Sequence, residues 1–337
     1  MSNINKLFYY WLSISFVLVF IMVIVGGLTR LTGSGLSITE WELFSGIFPP
    51  FNKSEWDQYF ALYKKIPQYK LLNYDMSLED FKIIYYWEYF HRILGRIIGL
   101  FFLIPLILFY ITNQINKKHL SLCASIFFLI LTQGLVGWYM VESGLTQNVS
   151  VSHYRLSLHL SIAFIIIGLI YWTIINVKRN TTISLILNKK YNYFFYSLIF
   201  LVLIQIILGA FVSGLDAGKI YQTWPLMNST FFPSDVEISS TSDFLNFNNH
   251  SLVQFYHRNI AYLLTFYILA VGFFIFNKKI YNLYKPFLYL FIFLIIQIIL
   301  GIFTLISGLN IYLASGHQIC SLLLMLSVIN LYYYYLK

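Results

Sequence analysis

Long apolar stretches alternate with short polar ones along the whole chain. Runs close to the roughly 20 helical residues needed to cross a bilayer core of about 30 Å fall at 7–28, 85–112, 120–141, 153–176, 193–214, 252–276, 286–307 and 310–335. They predict eight transmembrane helices and therefore an all-α integral membrane fold. Composition agrees: with 59% of the 337 residues hydrophobic, 20% aromatic and only 10% charged, the chain lacks the polar surface that a water-soluble globule requires.

The short polar segments carry the orientation signal, because Lys and Arg prefer cytoplasmic loops. Lys117 and Lys118 follow the second run. Lys178, Arg179, Lys189 and Lys190 follow the fourth, and Lys278, Lys279 and Lys285 follow the sixth. The loops after the third, fifth and seventh runs hold only Lys219, and all 13 acidic residues fall in or beside the segments on that opposite side. Both termini are therefore expected in the cytoplasm. The net charge of +9 is the imprint of this asymmetry and not a nucleic-acid footprint. Six residues before the first run are too few for a transit peptide, and that run is too long for a cleaved signal. A bacterial inner membrane is the expected location. Cys123 and Cys320 lie inside predicted helices, away from any outer-face disulfide.

The chain repeats itself. Gly26 and Gly209, Gly35 and Gly218, and Trp41 and Trp224 are each 183 positions apart (209 − 26, 218 − 35, 224 − 41). His91-Arg92 returns as His257-Arg258 at 166, Gln133 and Gly137 return as Gln297 and Gly301 at 164, and His159 returns as His317 at 158. Offsets that hold within helix pairs and step only across loops mark an internal repeat. The expectation is two pseudo-symmetric four-helix bundles in the same orientation. Residues 1–180 form the first, with a long outer loop at 30–83, and 181–337 form the second, joined by an inner linker at 177–190. The polar and aromatic stretch 41–82 reads as a structured outer cap, with an unstructured linker as the alternative.

Four of the seven histidines occupy matched places: His91 with His159, and His257 with His317. His119, His153 and His250 fall at helix ends or in loops and read as solvated surface. Ionisable groups inside a membrane are costly and usually functional. Two imidazoles converging from different helices of a bundle are how a haem is held axially. A bare zinc site is the rival, although two histidines with one carboxylate make a thin ligand set for it. Arg92 and Arg258 are candidates to pair with haem propionates, or else they snorkel to the interface. One position breaks the symmetry: Glu88 precedes His91 by three residues, and its counterpart is Gln254 (88 + 166). A carboxylate there can take a proton or stabilise a developing cation; the alternative is a structural ion pair with Arg92 or Arg96. If the difference is meaningful, the first unit does chemistry and the second carries electrons or supports it.

An ordered series of motifs covers nearly the whole chain. It comprises Gly26-Gly27-Leu28-Thr29-Arg30-Leu31-Thr32-Gly33-Ser34-Gly35 with Glu40-Trp41, Glu88-Tyr89-Phe90-His91-Arg92 with Gly95-Arg96, and Gln133-Gly134-Leu135-Val136-Gly137-Trp138. It continues with Tyr154-Arg155-Leu156 with His159, Leu215-Asp216-Ala217-Gly218 with Thr223-Trp224-Pro225, His257-Arg258 and His317-Gln318. Taken in this order, the series resembles the haem A synthase family in its proteobacterial and mitochondrial branch. The resemblance implies an oxidoreductase that converts the C8 methyl of haem O to a formyl, giving haem A for cytochrome c oxidase. It implies a b-type haem cofactor on His257 and His317, substrate haem O on His91 and His159, and Glu88 as the essential acid. Partners in keeping with it are haem O synthase, oxidase assembly factors, an electron donor that the sequence does not name, and a second copy of the chain. The outer-loop cysteine pair of another branch has no counterpart here, which leaves a thiol-based reductive step in doubt. Two other readings are a non-enzymatic di-haem cytochrome passing electrons from quinol to a partner, and a pseudo-symmetric transporter. The roles of Arg30, Arg96 and Arg155 are not legible.

Overall fold

A computed structural model describes residues 3–41, 45–146, 148–185 and 189–337. The parts of the expected outer cap at 42–44 and of the expected linker at 186–188 lie outside the described residues. Among the described residues, eight helices are long and apolar enough to cross a membrane. They are α1 (Asn3–Leu31), α4 (Leu78–Ile111), α5 (Lys117–Thr146), α6 (His153–Arg179), α7 (Asn192–Gly214), α8 (His250–Asn277), α9 (Tyr284–Ile306) and α10 (Ile311–Leu336). The largest departure from the expected boundaries is at α4, which starts at Leu78 instead of 85. The reason is local: Ser77 and Asp80 form a reciprocal capping box that satisfies two orphan amides at the helix start, so the helix extends past its apolar run.

The chain divides into two compact units, Met1–Ile174 and Ile175–Lys337. In the first, α4 packs against both α1 and α5, and Gln133 Nε2 on α5 donates to the His159 carbonyl of α6 at 3.0 Å. In the second, α7 packs on α8 and α9 on α10, and α10 and α8 close the ring against α7 and α9. Many of the exposed side chains on these helices are large and apolar, such as Phe266 and Phe273, as a lipid-facing surface requires.

The stretch after α1 folds into a cap. Two short helices, α2 (Lys53–Tyr63) and α3 (Pro67–Leu72), follow a 3-10 turn. The side chains of Trp56, Phe60 and Tyr63 recur at helical spacing and are buried, forming one apolar face against Phe81 and Tyr85 of α4. Trp56 meets Tyr85 edge-on with centroids 5.0 Å apart, and Phe60 stacks on Phe81, also at 5.0 Å. A polar tie anchors the cap to the end of α1. Gln68 Nε2 donates to the Gly33 carbonyl at 3.1 Å, its Oε1 accepts from Tyr63 Oη at 3.0 Å, and Asn73 Nδ2 donates to that same hydroxyl at 2.7 Å. Gly33 has φ of +67°, a conformation cheap only for glycine, and there the chain leaves α1 and turns into the cap.

The second unit ties its outer segment differently. Asp235 accepts from Tyr221 Oη and from Ser251 Oγ at 2.7 Å. Partial burial pushes this carboxyl upward, but the two hydroxyl donors outweigh that and hold it below the usual carboxylate range.

Replacing Trp56 with alanine removes the ring that joins the cap to α4, a loss of about 3 kcal/mol or more for a buried aromatic. Trypsin should then cut at Lys64, Lys65 or Lys70 faster than in the parent, while cleavage in the second unit is unchanged. Equal cap cleavage would show that Trp56 does not hold it.

Candidate functional site

In each described pair of successive spans, a histidine of the second helix lies against a glycine of the first. A Cβ built on Gly26 of α1 would stand 3.2 Å from His91 Nε2, and one on Gly137 of α5 would stand 3.0 Å from His159 Cε1. On Gly209 of α7 it would lie 3.1 Å from His257 Cε1, and on Gly301 of α9 it would lie 2.9 Å from His317 Cε1. Glycine suits these points because even a Cβ would crowd the imidazole.

The first unit brings His91 and His159 together from different helices, with ring centroids 6.5 Å apart and planes at 59°. Two imidazoles that share one metal at a bond of about 2 Å have their centroids about 6 Å apart. The separation of His91 and His159 would thus let both rings hold one iron. Among the described residues, no group of three or more His, Cys, Asp or Glu is placed to hold a bare metal ion.

Beside this pair sits Glu88, 3% exposed, one turn before His91 on α4. Its Oε2 accepts from Ser37 Oγ at 2.8 Å and from the Ile38 amide at 2.9 Å. Its Oε1 accepts from Arg92 Nε at 3.1 Å and Nη2 at 2.7 Å. The buried carboxylate thus takes two charge-assisted N–H donors of one arginine on Oε1, with a hydroxyl and an amide on its other oxygen. Arg92 Nη2 also donates to the Ile38 carbonyl at 2.9 Å, and its guanidinium carbon lies 5.5 Å from the Trp41 ring centre. Of the two partners considered for Glu88, Arg92 is the one it meets.

The second unit repeats the frame with neutral chemistry. Arg258 Nη2 donates to the Tyr221 carbonyl at 2.9 Å, the place matching Ile38 (221 − 38 = 183), and Gln254 Nε2 donates to the same oxygen at 2.8 Å. Gln254 Oε1 and Arg258 Nε are buried without a hydrogen-bond partner. In the first unit, the corresponding oxygen and nitrogen bond each other. His257 and His317 back onto Gly209 and Gly301, and Gln205 Nε2 lies 3.1 Å from His257 Nδ1.

All seven residues singled out from sequence are thus placed: Glu88, His91, Arg92 and His159 in one cluster, and His257, Arg258 and His317 in the other unit. Ser37 and Ile38 were not anticipated, and nothing in the composition of that loop marks them; they act through a folded turn. Gln205 was missed although it carries a signal, the Gln-x-x-x-Gly spacing it shares with Gln133 and Gln297. One expectation is corrected. His153, the first residue of α6, is 8% exposed with its ring 4.1 Å from Tyr154, and is not a solvated surface histidine. His250 is exposed, and His119 is half-buried with its ring 5.7 Å from Phe8. Arg155 lies on the face of Tyr139, 3.6 Å from its centre. Cys123 and Cys320 are both free and buried.

Comparison with known proteins covers the same span. Residues 9–329 match the family described as cytochrome oxidase assembly protein. The chain is 49% identical over 332 residues to a protein of Pelagibacter ubique named haem A synthase, with 98% of this chain and 97% of that protein covered. A protein of the same name from Rickettsia bellii is 42% identical over 326 residues, covering 96% of each. Another from Flavobacterium johnsoniae is 40% identical over 336 residues, again covering 96% of each.

Gly209→Val and Gly301→Val each crowd an imidazole, and should abolish or shift the visible absorption of any haem that purifies with the protein. Gly99→Ala, where an added Cβ meets nothing within 4 Å, should leave it unchanged. Native absorption in both valine variants would show that these contacts do not set the histidines.

Proposed function

We propose that this chain, which belongs to the family of cytochrome oxidase assembly proteins, makes haem A by oxidising the C8 methyl of haem O to a formyl group. Haem A biosynthesis is the activity in the name of its full-length relatives. The finer assignment rests chiefly on one observation: of two histidine sites built on the same repeat, only the first has a buried acid, Glu88 where the second has Gln254.

In this reading, the unit at 1–180 binds the substrate haem through His91 and His159. Turning a methyl into a formyl withdraws four electrons from one carbon, which an oxidant from outside the chain, dioxygen or an electron acceptor, must take up, through successive hydroxylations and loss of water. Positive charge and protons must be handled at the carbon being oxidised. Glu88 lies one turn from His91, hence beside the edge of the macrocycle that His91 would hold. Ser37, Ile38 and Arg92 fix both of its oxygens before substrate arrives, and a preorganised carboxylate stabilises developing charge without reorganisation. The Ser37 hydroxyl, 2.8 Å from Oε2, offers a route for a proton to or from that carboxylate. The ion pair with Arg92 is therefore how the acid is positioned, so the structural and the catalytic reading of Glu88 meet in one arrangement.

The unit at 181–337 holds a b-type haem through His257 and His317. When bound, this group supplies one-electron transfer. Its propionate partner is Arg258, whose Nε is a buried donor without a mate. Arg92 has less to give, since Nε and Nη2 are engaged by Glu88; its Nη1, 3.5 Å from the Glu40 carbonyl, is what it offers a propionate. The chain sits in the bacterial inner membrane with both termini in the cytoplasm and both sites near the outer face. It receives haem O from the enzyme that makes it and passes haem A towards oxidase assembly.

Haem extracted from cells that supply haem O, and separated by chromatography, should contain haem A with the parent protein. With Glu88→Gln the yield should fall about 100-fold, the scale of losing one preorganised charge interaction. Unchanged haem A in Glu88→Gln would sink the catalytic assignment and favour a di-haem electron carrier. In parallel, His257→Ala and His317→Ala should each remove the b-type absorption; its survival in both would move the resident haem elsewhere.

A further inference from the structure

The two units also differ at the ends of their helices away from the histidines. Between α8 and α9 lies a cleft of 370 Å³, walled by Leu269, Phe273 and Phe276 of α8 and by Phe287, Leu288 and Phe291 of α9. Ligand pockets have volumes of roughly 300–1,000 Å³, so the cleft is of their size. Phe273 is 73% exposed and Leu288 is 53% exposed, which leaves the cleft open along the lipid-facing side. Gly272 shapes its floor: a Cβ there would stand 2.2 Å from Phe287 Cζ. Because α8 packs chiefly on α7 and α9 chiefly on α10, the cleft is the seam between two helix pairs.

Three lysines stand at one end of this seam. Lys278 caps α8 two residues after Phe276, Lys279 follows it, and Lys285 precedes Leu288 by three residues, on one face of α9. All three are exposed. The acidic side chains of the unit, Asp216, Asp235, Glu237 and Asp243, all lie in the segment between α7 and α8, at the other end of α8. The lysines therefore have no carboxylate side chain of their unit to meet. From Lys278 back to Leu269 is about 14 Å of helix, close to half of the roughly 30 Å hydrocarbon core, the depth of one leaflet.

At the matching positions the first unit has neither part. The same turn closes α4: Asn113 and Gln114 donate to the carbonyls of Tyr110 and Phe109 as Lys279 and Ile280 donate to those of Phe276 and Ile275, a match at 166 positions. At that offset Lys278 and Lys279 answer to Thr112 and Asn113, and Gly272 answers to Leu106; at 164, Lys285 and Phe287 answer to Ser121 and Cys123. Lys117 and Lys118 of the first unit fall instead where the second has Tyr281 and Asn282 (117 + 164, 118 + 164). Asn113 and Lys279 have φ of +52° and +50°, a conformation that asparagine takes far more readily than most residues. Lys279 thus keeps its place against the preference of its backbone.

We infer that the cleft between α8 and α9 binds an anionic phospholipid, with an acyl chain along Leu269, Phe273 and Leu288 and the phosphate at Lys278, Lys279 and Lys285. The apolar walls offer the chain little that bulk lipid does not, so selectivity comes from the charges, at about fivefold in affinity for each lysine near the surface. The lipid fills the seam between the α7–α8 and α9–α10 pairs. It thereby joins α8 and α10, the helices that carry His257 and His317, and the inference does not depend on what those histidines hold.

Native mass spectrometry of the purified full chain in detergent, titrated with dioleoyl phosphatidylglycerol or with dioleoyl phosphatidylethanolamine, measures the affinity. Phosphatidylglycerol should bind about tenfold tighter or more. Lys278→Gln/Lys279→Gln should weaken it about 25-fold, whereas Lys117→Gln/Lys118→Gln, the same loss of charge in the first unit, should leave it unchanged. Leu269→Trp, which fills the cleft from a lipid-facing position, should abolish binding. These lysines are exposed, so the paired double variants carry the test should Leu269→Trp not accumulate. Equal weakening by the two double variants, or equal affinity for the two lipids, would reveal a diffuse cationic surface and overturn the site. A quinone that purifies with the parent, blocks phosphatidylglycerol and is lost in Leu269→Trp would overturn it as well, by giving the cleft another occupant.

Discussion

A polar side chain inside a membrane protein has no water to fall back on, so each must find its partner on a neighbouring helix or in a bound group. The four paired histidines meet this constraint in one way. Each imidazole is pressed onto a glycine of the preceding span, which draws the two helices close and leaves the opposite side of the ring for a ligand. Everything else about the two sites is built around that contact. Gln133 and Gln205 bond across it, and the outer loops fold over its end. Hydrophobic packing cannot do this alone, because lipid tails solvate apolar faces as well as another helix does.

The same constraint explains why a soluble-looking cap belongs to the unit that holds Glu88. Glu88 is an ionisable group near a hydrocarbon region, and burying it without partners would be prohibitive. Its partners come from Ser37 and Ile38, residues that hold their place because the turn at Gly33 is pinned by Gln68 of the cap. The aromatic face of Trp56, Phe60 and Tyr63 on α4 therefore serves the acid at one remove. In the second unit Gln254 asks for much less, and its outer segment is tied by a simpler knot of Tyr221, Asp235 and Ser251.

Much of this was legible in the chain itself. The eight spans follow from run length, since only a helix can carry an apolar stretch through lipid. The four histidines, both arginines and Glu88 follow from offsets that stay constant within helix pairs. What could not be read was tertiary in origin. The early start of α4 depends on a capping box outside the apolar run, and the burial of His153 at the start of α6 depends on its surroundings in the fold. Ser37 and Ile38 become ligands of Glu88 only through a folded turn. The difference between Arg92 and Arg258 is likewise invisible until one is seen bonded to a carboxylate and the other with an unmet Nε.

That difference bears on how a duplicated scaffold divides its labour. A site that keeps a cofactor profits from ligands that cannot move and a guanidinium free to grip a propionate. A site that turns over a substrate of the same shape must bind it, expose one edge to a fixed charge, and let it go. In the second unit, Gln205 and Gln297 stand behind the histidines, and Arg258 Nε is buried without a hydrogen-bond partner. The first unit differs at three places: Met22 stands where the second has Gln205 (205 − 183), Glu88 where it has Gln254, and its arginine is committed to that acid. All three exchanges fall on α1 and α4, while α5 and α6 keep the Gln133, Gly137 and His159 arrangement of the resident site. The differences are thus confined to one helix pair, and the other pair keeps the arrangement that both units share.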